Sequence, residues 1–380
     1  MGLFTKDSGG DLTLILDIGS GSIGGALILK NKKGAPTILN TERKFFKPQN
    51  SFDELRVRKE MLETLDVVCV NLQKKVGTRP HKIYCILGTP WSHGELRAIE
   101  LVEKKDFKFT EKFAQKLIAE EVGRFKKSGD ENLVIIDQKT TKVALNGYNI
   151  EKPHGERART LRLDVFLSVS SKDLAAKIEE KIHKTFKAQI AFTSQMFSDF
   201  IVVRDIFELQ NDFLIINAGG EATDVVLIKD DHLVGTASFP FGHNSIIRLI
   251  SKSLGKTLHE TKSVFSLMRD GHMEVKESHA IARAIKSAAS IWINNFKGIL
   301  SDLAPTRHVP HNLFLISDDK TYLWLQTLLN NKSFPEFTTA HGEFNVIIGD
   351  NRILHSFCHF AEGAERDAAL TIKTIFINQV

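Results

Sequence analysis

The sequence predicts an α/β protein of two similar domains that face each other across a cleft, with a small α+β insertion in the first. Two glycine-rich hairpins, Leu12–Lys30 and Phe213–Lys229, carry most of this prediction. Each has an apolar strand, a polar residue, a glycine turn and a second apolar strand. The polar residues are Asp17 and Asn217, which lie 200 positions apart. A repeat at that spacing indicates two domains of one design.

The first hairpin has a turn of small residues, Gly19, Ser20, Gly21 and Ser22. Gly19, Gly21 and Gly24 also fit the G-x-G-x-x-G spacing of a dinucleotide-binding loop, which needs a helix after the turn. Here the strand Ala26–Leu29 and a new turn at Asn31–Gly34 follow, so a β-hairpin is favoured. Consecutive N–H groups without bulky side chains can still bind phosphate. The alternative is an ordinary tight hairpin.

The rest of the first domain follows in the order strand, helix, strand. Thr37–Phe45 is predicted as a third strand, and Ser51 with Glu54 fits a capping box before a helix. Lys82–Leu87 is a short apolar strand that ends at Gly88. The predicted helix has apolar residues at helical spacing, namely Leu62, Leu65, Cys69, Leu72 and Val76. This βββαβ order is that of a ribonuclease-H-like domain.

From Trp91 to about Leu167 the pattern is that of a small α+β insertion, with one helix that Thr110 caps. The predicted strands of this insertion are Arg97–Val102, Leu133–Ile136, Lys142–Leu145 and Leu161–Leu167. We therefore expect a first domain at residues 1–90, an inserted subdomain at 91–170, and a second domain with a C-terminal return segment at 171–380.

The second half repeats the alternation of strands and helices. Ser171 opens a helix, and a turn at Pro240–Ser245 opens another that runs through Leu254. The other predicted elements are strands at Gln189–Phe192, His232–Ser238, Leu313–Ile316 and Val346–Ile348, and helices at Ser194–Leu209, Leu258–Arg269, Val275–Leu303 and Lys320–Leu329. The last residues show no pattern that separates helix from strand.

Composition restricts the partners and the compartment. The net charge of +5 comes from 51 basic and 46 acidic residues without a basic block, so nucleic acid is not an expected partner. The three cysteines form no paired framework, which is typical of a reducing cytoplasm. The sequence has neither a run of about 18 apolar residues nor a secretory signal. We expect a cytoplasmic protein that reaches the inner face of the membrane only through partners.

Together these features resemble the actin and hexokinase superfamily of ATPases, and within it the bacterial branch that includes FtsA and PilM. Leu16–Ile28 is similar to the first phosphate loop of the family and Ile215–Ile228 to the second. The insertion stands where FtsA and PilM carry an extra subdomain, in FtsA of the SHS2 type. Leu145–Gly155 is similar to a segment of FtsA.

The resemblance implies a site for ATP and Mg²⁺ between the two loops. Asp17 would hold Mg²⁺ through water, because Mg²⁺ keeps several of its waters. In the family the catalytic positions correspond to Asp17, Gln195 and Asn217. The residues that would bind nucleotide are Asp17, Gly19, Ser20, Gly21, Ser22, Gly219, Gly220, Thr223, Asp224, Gly242 and Ser317.

The second phosphate loop departs from the family pattern. Asn217 replaces an aspartate, and an amide can neither add charge beside a metal nor accept a proton from water. Glu221 and Ala222 replace glycine and threonine, and Glu221 would repel phosphate if it pointed inward. Gln195 can orient a water but is a poor base. These changes indicate at most a weak ATPase.

The adenine side departs as well. The family has two glycines after its last core strand, and here Ser317, Asp318 and Asp319 follow instead. His243 replaces the second glycine of the pair that begins at Gly242. Both changes put side chains where the family has bare backbone, which predicts weak nucleotide binding.

Three functions remain open from the sequence. The resemblance favours a cytoplasmic actin-like scaffold that binds ATP and recruits protein partners, in cell division as FtsA does or in type IV pilus assembly as PilM does. Self-association is left open. The second is an active enzyme such as a sugar kinase, against which Asn217 speaks. The third is a pseudo-ATPase that no longer binds nucleotide.

Overall fold

The computed structural model describes residues 11–47, 49–75, 79–128, 131–206, 211–269, 275–305, 309–317, 321–338 and 342–380. Three runs of elements follow one another along the chain. The first run is β1 (Asp11–Ile18), β2 (Ser22–Lys30), β3 (Thr37–Phe45), α1 (Glu54–Lys75) and β4 (Lys82–Leu87). The second is β5 (His93–Lys108), α2 (Glu111–Ser128), β6 (Leu133–Leu145), β7 (Tyr148–Asn149) and β8 (Arg157–Ser171).

The third run completes the chain and is the longest. It begins with α3 (Lys172–Thr185), β9 (Gln189–Ser194), α4 (Gln195–Ile206), β10 (Phe213–Ala218), β11 (Thr223–Lys229) and β12 (His232–Phe239). It continues with α5 (His243–Leu254), α6 (Leu258–Arg269), α7 (Val275–Leu303), β13 (Asn312–Ser317) and α8 (Thr321–Asn330). It ends with β14 (Asn345–Ile348), α9 (Asn351–Leu354), β15 (His359–Phe360) and α10 (Ala368–Gln379).

The strands of the described residues form three sheets. The first sheet has the order β15-β3-β2-β1-β4-β9 and the second the order β12-β11-β10-β13-β14. In both, a central strand pairs antiparallel with the second arm of its hairpin and parallel with a later strand. The third sheet, β5-β8-β6-β7, belongs to the insertion. β9 and β15 join the first sheet although they lie after residue 171, and where the domains divide stays a prediction.

Both glycine hairpins are confirmed, and their registers match. Asp17 pairs with Gly24 in the first hairpin, and Asn217 pairs with Asp224 in the second. The two polar residues therefore occupy equivalent places, one position before the end of the strand that leads into each turn. The two glycine turns therefore lie at equivalent ends of two similar sheets.

One apolar cluster joins the first two sheets. It contains Ile15 and Ile86 of the first sheet, Ile215 of the second, Phe200 of α4 and Phe376 of α10, and none of them is more than 3% exposed. The segment that the sequence left unassigned is therefore a helix of the central core. Asp367 is the N-cap of α10, and its carboxylate accepts the N–H of Leu370 at 2.9 Å. A helix that is buried on all sides is apolar on all sides, which explains why its sequence shows no period.

Two local predictions are wrong. The capping box at Ser51 and Glu54 does not form, because Asp53 lies directly before α1 and its carboxylate accepts the N–H of Arg56 at 3.0 Å. The strands of the insertion are much longer than expected, with β5, β6 and β8 running over 16, 13 and 15 residues. Polar residues on one face interrupt the apolar pattern, so the pattern predicts only the shorter segments.

Candidate functional site

The first loop is a tight turn whose carboxylate already has a cationic partner. Gly19 donates its N–H to the carbonyl of Ser22 at 3.1 Å, which closes the turn. Asp17 is buried and accepts a hydrogen bond from Nη2 of Arg43 at 2.8 Å. The position that the resemblance assigns to the metal ligand is thus neutralised by a side chain of this chain.

Arg43 binds three groups at once. Its Nη1 donates to Oγ of Ser22 at 2.7 Å, and its Nε donates to Oδ2 of Asp367 at 2.5 Å. The guanidinium fits because Gly24 lies opposite in the register, and a β carbon built on Gly24 would stand 2.6 Å from Nη2. Only 10% of the Arg43 side chain is exposed. The three nitrogen donors are held in the plane of the guanidinium, an arrangement that lysine could not reproduce.

The second loop repeats the turn and uses its hydroxyl internally. Gly219 donates its N–H to the carbonyl of Ala222 at 3.0 Å, as Gly19 does in the first loop. Oγ1 of Thr223 donates to the carbonyl of Phe241 at 2.7 Å and lies 3.3 Å from Nε1 of Trp292. Thr223, which the resemblance assigns to phosphate, therefore fixes the packing of the second sheet.

Glu221 is held by α5 and has its own counter-charge. Arg248 forms a two-pronged ion pair with the carboxylate, with Nη1 at 3.1 Å from Oε1, and Nδ2 of Asn244 donates to the same oxygen at 2.9 Å. Both partners lie in the first two turns of α5. A carboxylate thus lies beside the start of a helix, which is where anions are stabilised.

The two loops are in direct contact. Oγ of Ser20 accepts the N–H of Glu221 at 2.9 Å. A β carbon built on Gly21 would lie 2.7 Å from Cα of Gly220, and one built on Gly220 would overlap the backbone of Gly21. These contacts leave no room for a phosphate group between the two glycines.

The N-terminus of α5 donates to the second loop. His243 donates its N–H to the carbonyl of Gly219 at 3.1 Å, and Asn244 donates to that of Gly220 at 2.9 Å. Gly242 is the N-cap, and a β carbon there would overlap the same two carbonyls. The N–H groups that could bind an anion at a helix start are therefore used by the protein backbone.

Asn217 belongs to a buried polar group behind the second loop. Its Nδ2 donates to Oδ2 of Asp199 in α4 at 2.6 Å. The other oxygen of Asp199 is paired with Lys373 of α10, and Lys373 and Asp199 are 0% and 1% exposed. An amide suits this position because it donates a hydrogen bond to a carboxylate, which an aspartate would repel.

Asp224 is the other buried carboxylate of the second hairpin. It accepts a hydrogen bond from Oγ of Ser238 at 2.7 Å. Oγ of Ser238 also lies 3.3 Å from Oγ1 of Thr89, which follows β4 of the first sheet. Burial raises the pKa of Asp224 to about 6, and the hydrogen bonds from Ser238 and Thr89 oppose the rise. Asp224 therefore lies at a contact between the two sheets.

The remaining predicted positions lie at the edges of the loops. The side-chain oxygen of Gln195 occupies the space beside Gly88 in which a β carbon would stand. Oγ of Ser317 donates to the carbonyl of Ala218 at 2.9 Å. Asp318 and Asp319 lie outside the described residues. The structure thus gathers the predicted residues around one contact surface between two loops.

The sequence alone does not point to the other charged residues that surround these loops, namely Arg43, Asp199, Arg248, Asp367 and Lys373. One signal was present for Lys373, because it is a single cation inside the apolar run Ala369–Ile377. A lone lysine in such a run is buried only when it is paired. The partners themselves lie far away in the sequence.

Comparisons with known proteins identify the fold. No protein-family model matches the chain, and no curated protein matches it. The PilM-PilN type IV pilus biogenesis complex is similar in structure over 97% of this chain and 98% of that one, with a TM-score of 0.62 and 13% identity. The ethanolamine utilization protein EutJ from Carboxydothermus hydrogenoformans is aligned over 97% of this chain and 89% of that one, with a TM-score of 0.46 and 9% identity. A protein of actin-like ATPase fold from Bacteroides thetaiotaomicron is aligned over 99% of both chains, with a TM-score of 0.41 and 9% identity.

The chain has the actin-like ATPase fold, with two ribonuclease-H-like domains and an α+β insertion in the first. In the described part of the chain, no helix combines the length and the apolar character needed to cross a membrane. The residues present do not fit Mg·ATP in this conformation. Asp17 is paired with Arg43, and the contact of Gly21 with Gly220 fills the space for phosphate.

Proposed function

We propose that this protein is a scaffold that binds protein partners in a membrane-associated assembly and does not hydrolyse ATP. The contact between Gly21 and Gly220 carries the proposal, because phosphoryl transfer needs the transferred phosphate between these loops. Asn217 supports it, since its amide is committed to Asp199 and cannot act as a base. ATP and Mg²⁺ are then not required for the protein to take its closed form, in which the two glycine loops are in contact.

Type IV pilus biogenesis is the assembly that we propose first. The PilM-PilN type IV pilus biogenesis complex is similar in fold over 97% of this chain and 98% of that one. A protein of the same outline, located in the cytoplasm, could reach the membrane through such a partner. A role in cell division is the second candidate, and the segment Leu145–Gly155 favours it by its similarity to FtsA.

The inserted subdomain offers a surface for a partner. Its sheet has a groove of about 370 Å³ whose lining includes Glu100, Val102, Lys142, Thr160 and Arg162. Val102 is 79% exposed although β-branched apolar residues are usually buried. α2 and its apolar contacts cover the other face of the sheet, and around Val102 this face is exposed. An extended segment with an apolar side chain and a charged flank would fit such a groove.

Capture from cells of the source organism tests the proposal. We expect the tagged protein to retain components of a pilus machinery, and V102E to lose them, because an apolar anchor in the groove would strip water from the carboxylate. L55E is the matched control, since Leu55 is 77% exposed on α1, away from the insertion. Division proteins in place of pilus proteins would support the second candidate.

Phosphate release separates the scaffold from the enzyme. We expect no release above a protein-free control when Mg·ATP is added, with or without candidate sugars. Rapid release would contradict the proposal. Equal retention of partners by V102E and the wild type would contradict the assignment of the groove.

A further inference from the structure

We propose that ion pairs at two places on α10, together called the relay, hold the two glycine loops together, so that the closed form needs no ligand. The relay runs from Asp17 through Arg43, Asp367, Lys373 and Asp199 to Asn217, and its two ends are the equivalent polar residues of the two hairpins. The inference deepens the proposed function by giving the reason why a scaffold of this fold can dispense with nucleotide.

The first half of the relay ties α10 to the first sheet. Arg43 donates to Asp17 at 2.8 Å and, through Nε and Nη2, to both oxygens of Asp367 at 2.5 and 3.2 Å. The carboxylate of Asp367 also caps α10 by accepting the N–H of Leu370. The guanidinium therefore fixes the start of α10 against β1 and β3. Gly24 keeps the space for it open.

The second half ties α10 to the second sheet. Lys373 lies six residues after Asp367, about 1.7 turns further along the helix, and is paired with Asp199 of α4. The second oxygen of Asp199 holds the amide of Asn217, which lies in β10. All three side chains are buried, with Asn217 the most accessible at 6%. A lysine that is fully buried persists only when its charge is compensated.

The relay gives each carboxylate near the loops a cation from the chain itself. Asp17 and Asp199 are carboxylates next to the loops, and each has one cation of the chain beside it. Glu221 and Arg248 form a third pair at α5. Breaking one partner of a buried pair leaves an uncompensated charge that attracts water and separates the packed elements. Loss of Arg43 or Lys373 should therefore open the contact between Gly21 and Gly220.

Spin labels on opposite sides of the loops test this inference. Arg56 of α1 and Lys252 of α5 are both exposed, and Lys252 and Asn50 line one groove of about 450 Å³. The native cysteines are buried, so labels react at R56C and K252C alone. We expect one narrow distance distribution by double electron–electron resonance, unchanged by 5 mM Mg·ATP. R43Q and K373M should move it to longer and broader distances.

The controls separate this inference from the proposed function. R159Q removes an exposed ion pair with Asp106 in the insertion and should leave the distribution narrow. If R43Q or K373M does not fold, R43K and the wild type with and without Mg·ATP still decide the question. Narrow distributions in all variants, or a wild-type distribution that narrows on Mg·ATP, would overturn the relay. Partner capture would stand in either case.

Discussion

Asn217 is a buried amide that donates a hydrogen bond to the carboxylate of Asp199. The family pattern makes it a lost catalytic acid, whereas the structure makes it a hydrogen-bond donor to Asp199. The side chain is 6% exposed. Beside a buried carboxylate, an amide N–H is favourable because it donates a hydrogen bond, whereas a second negative charge is repelled. Stability therefore accounts for the asparagine without reference to catalysis.

N217D should destabilise the protein. It places two carboxylates beside one lysine in a buried site, so one of them must be protonated or desolvated without a partner, at a cost of about 3 kcal/mol. Urea denaturation at pH 7 measures the change in free energy of unfolding. The exchange D199N/N217D keeps one carboxylate and one amide and should recover most of the loss. A stable N217D that releases phosphate from ATP would contradict this view.

D224N should stabilise the protein in a way that depends on pH. Burial raises the pKa of Asp224 from 3.8 to about 6, so the folded state prefers the protonated carboxyl. The contribution that the protonated Asp224 carboxyl makes to stability is fully present below pH 4 and is lost as the pH rises through 6. The neutral asparagine avoids the loss, so D224N should gain up to about 3 kcal/mol at pH 7.5.

Denaturant unfolding of D224N and the wild type between pH 4 and 7.5 measures the difference in free energy of unfolding. The difference should shrink as the pH falls through 6 and should be smallest near pH 4. A difference that is constant across this range would show that Asp224 has an ordinary pKa in the folded protein.

Among the elements, α10 is the one that the sequence does not predict: the segment shows no pattern of helix or strand, and it forms a buried helix. The run Ala369–Ile377 has no helical period because the helix is enclosed by both sheets and α4. The hairpins were predictable because their alternation and turns are local. The ion pairs were not, because Arg43 and Asp367 lie 324 positions apart, and Lys373 and Asp199 lie 174 apart.

K373M should cost about 3–5 kcal/mol in free energy of unfolding, because it leaves Asp199 buried without its cation. The double variant D199N/K373M removes both charges and should recover most of that cost, since a buried ion pair is often replaceable by neutral groups. Chemical denaturation of the three proteins gives the coupling between the two sites. Additive losses would mean that the pair does not act as a unit.

G220A tests the contact between the two loops. Its β carbon would overlap the backbone of Gly21, so the loops must separate, and we expect a loss of about 1–3 kcal/mol. G298A is the control, because Gly298 lies in α7 with no atom within 4 Å of a β carbon. Alanine there should stabilise the helix by roughly 0.5–1 kcal/mol. Equal changes in the midpoint of thermal unfolding for the two variants would contradict a close contact between the loops.

For the whole molecule, the sequence identified the architecture but not the state of the cleft. Two equivalent hairpins and the βββαβ order led to the actin-like fold, and the shared outline with the PilM structure agrees. Taken one at a time, the substitutions at Asn217, Glu221 and His243 predict weaker hydrolysis and weaker nucleotide binding. In the structure each has a partner or a close neighbour, and the loops touch. The fold remains while the space for the ligand is filled.

Thermal unfolding in the presence of Mg·ATP tests this claim most directly. A ligand that binds the folded protein at 1,000 times its Kd adds about 4.1 kcal/mol of stability. With 5 mM Mg·ATP we expect the midpoint of unfolding to equal that with 5 mM Mg²⁺ alone, because Arg43 and the contact of the loops exclude the nucleotide. A rise of several degrees that ATP causes and Mg²⁺ alone does not would contradict the account.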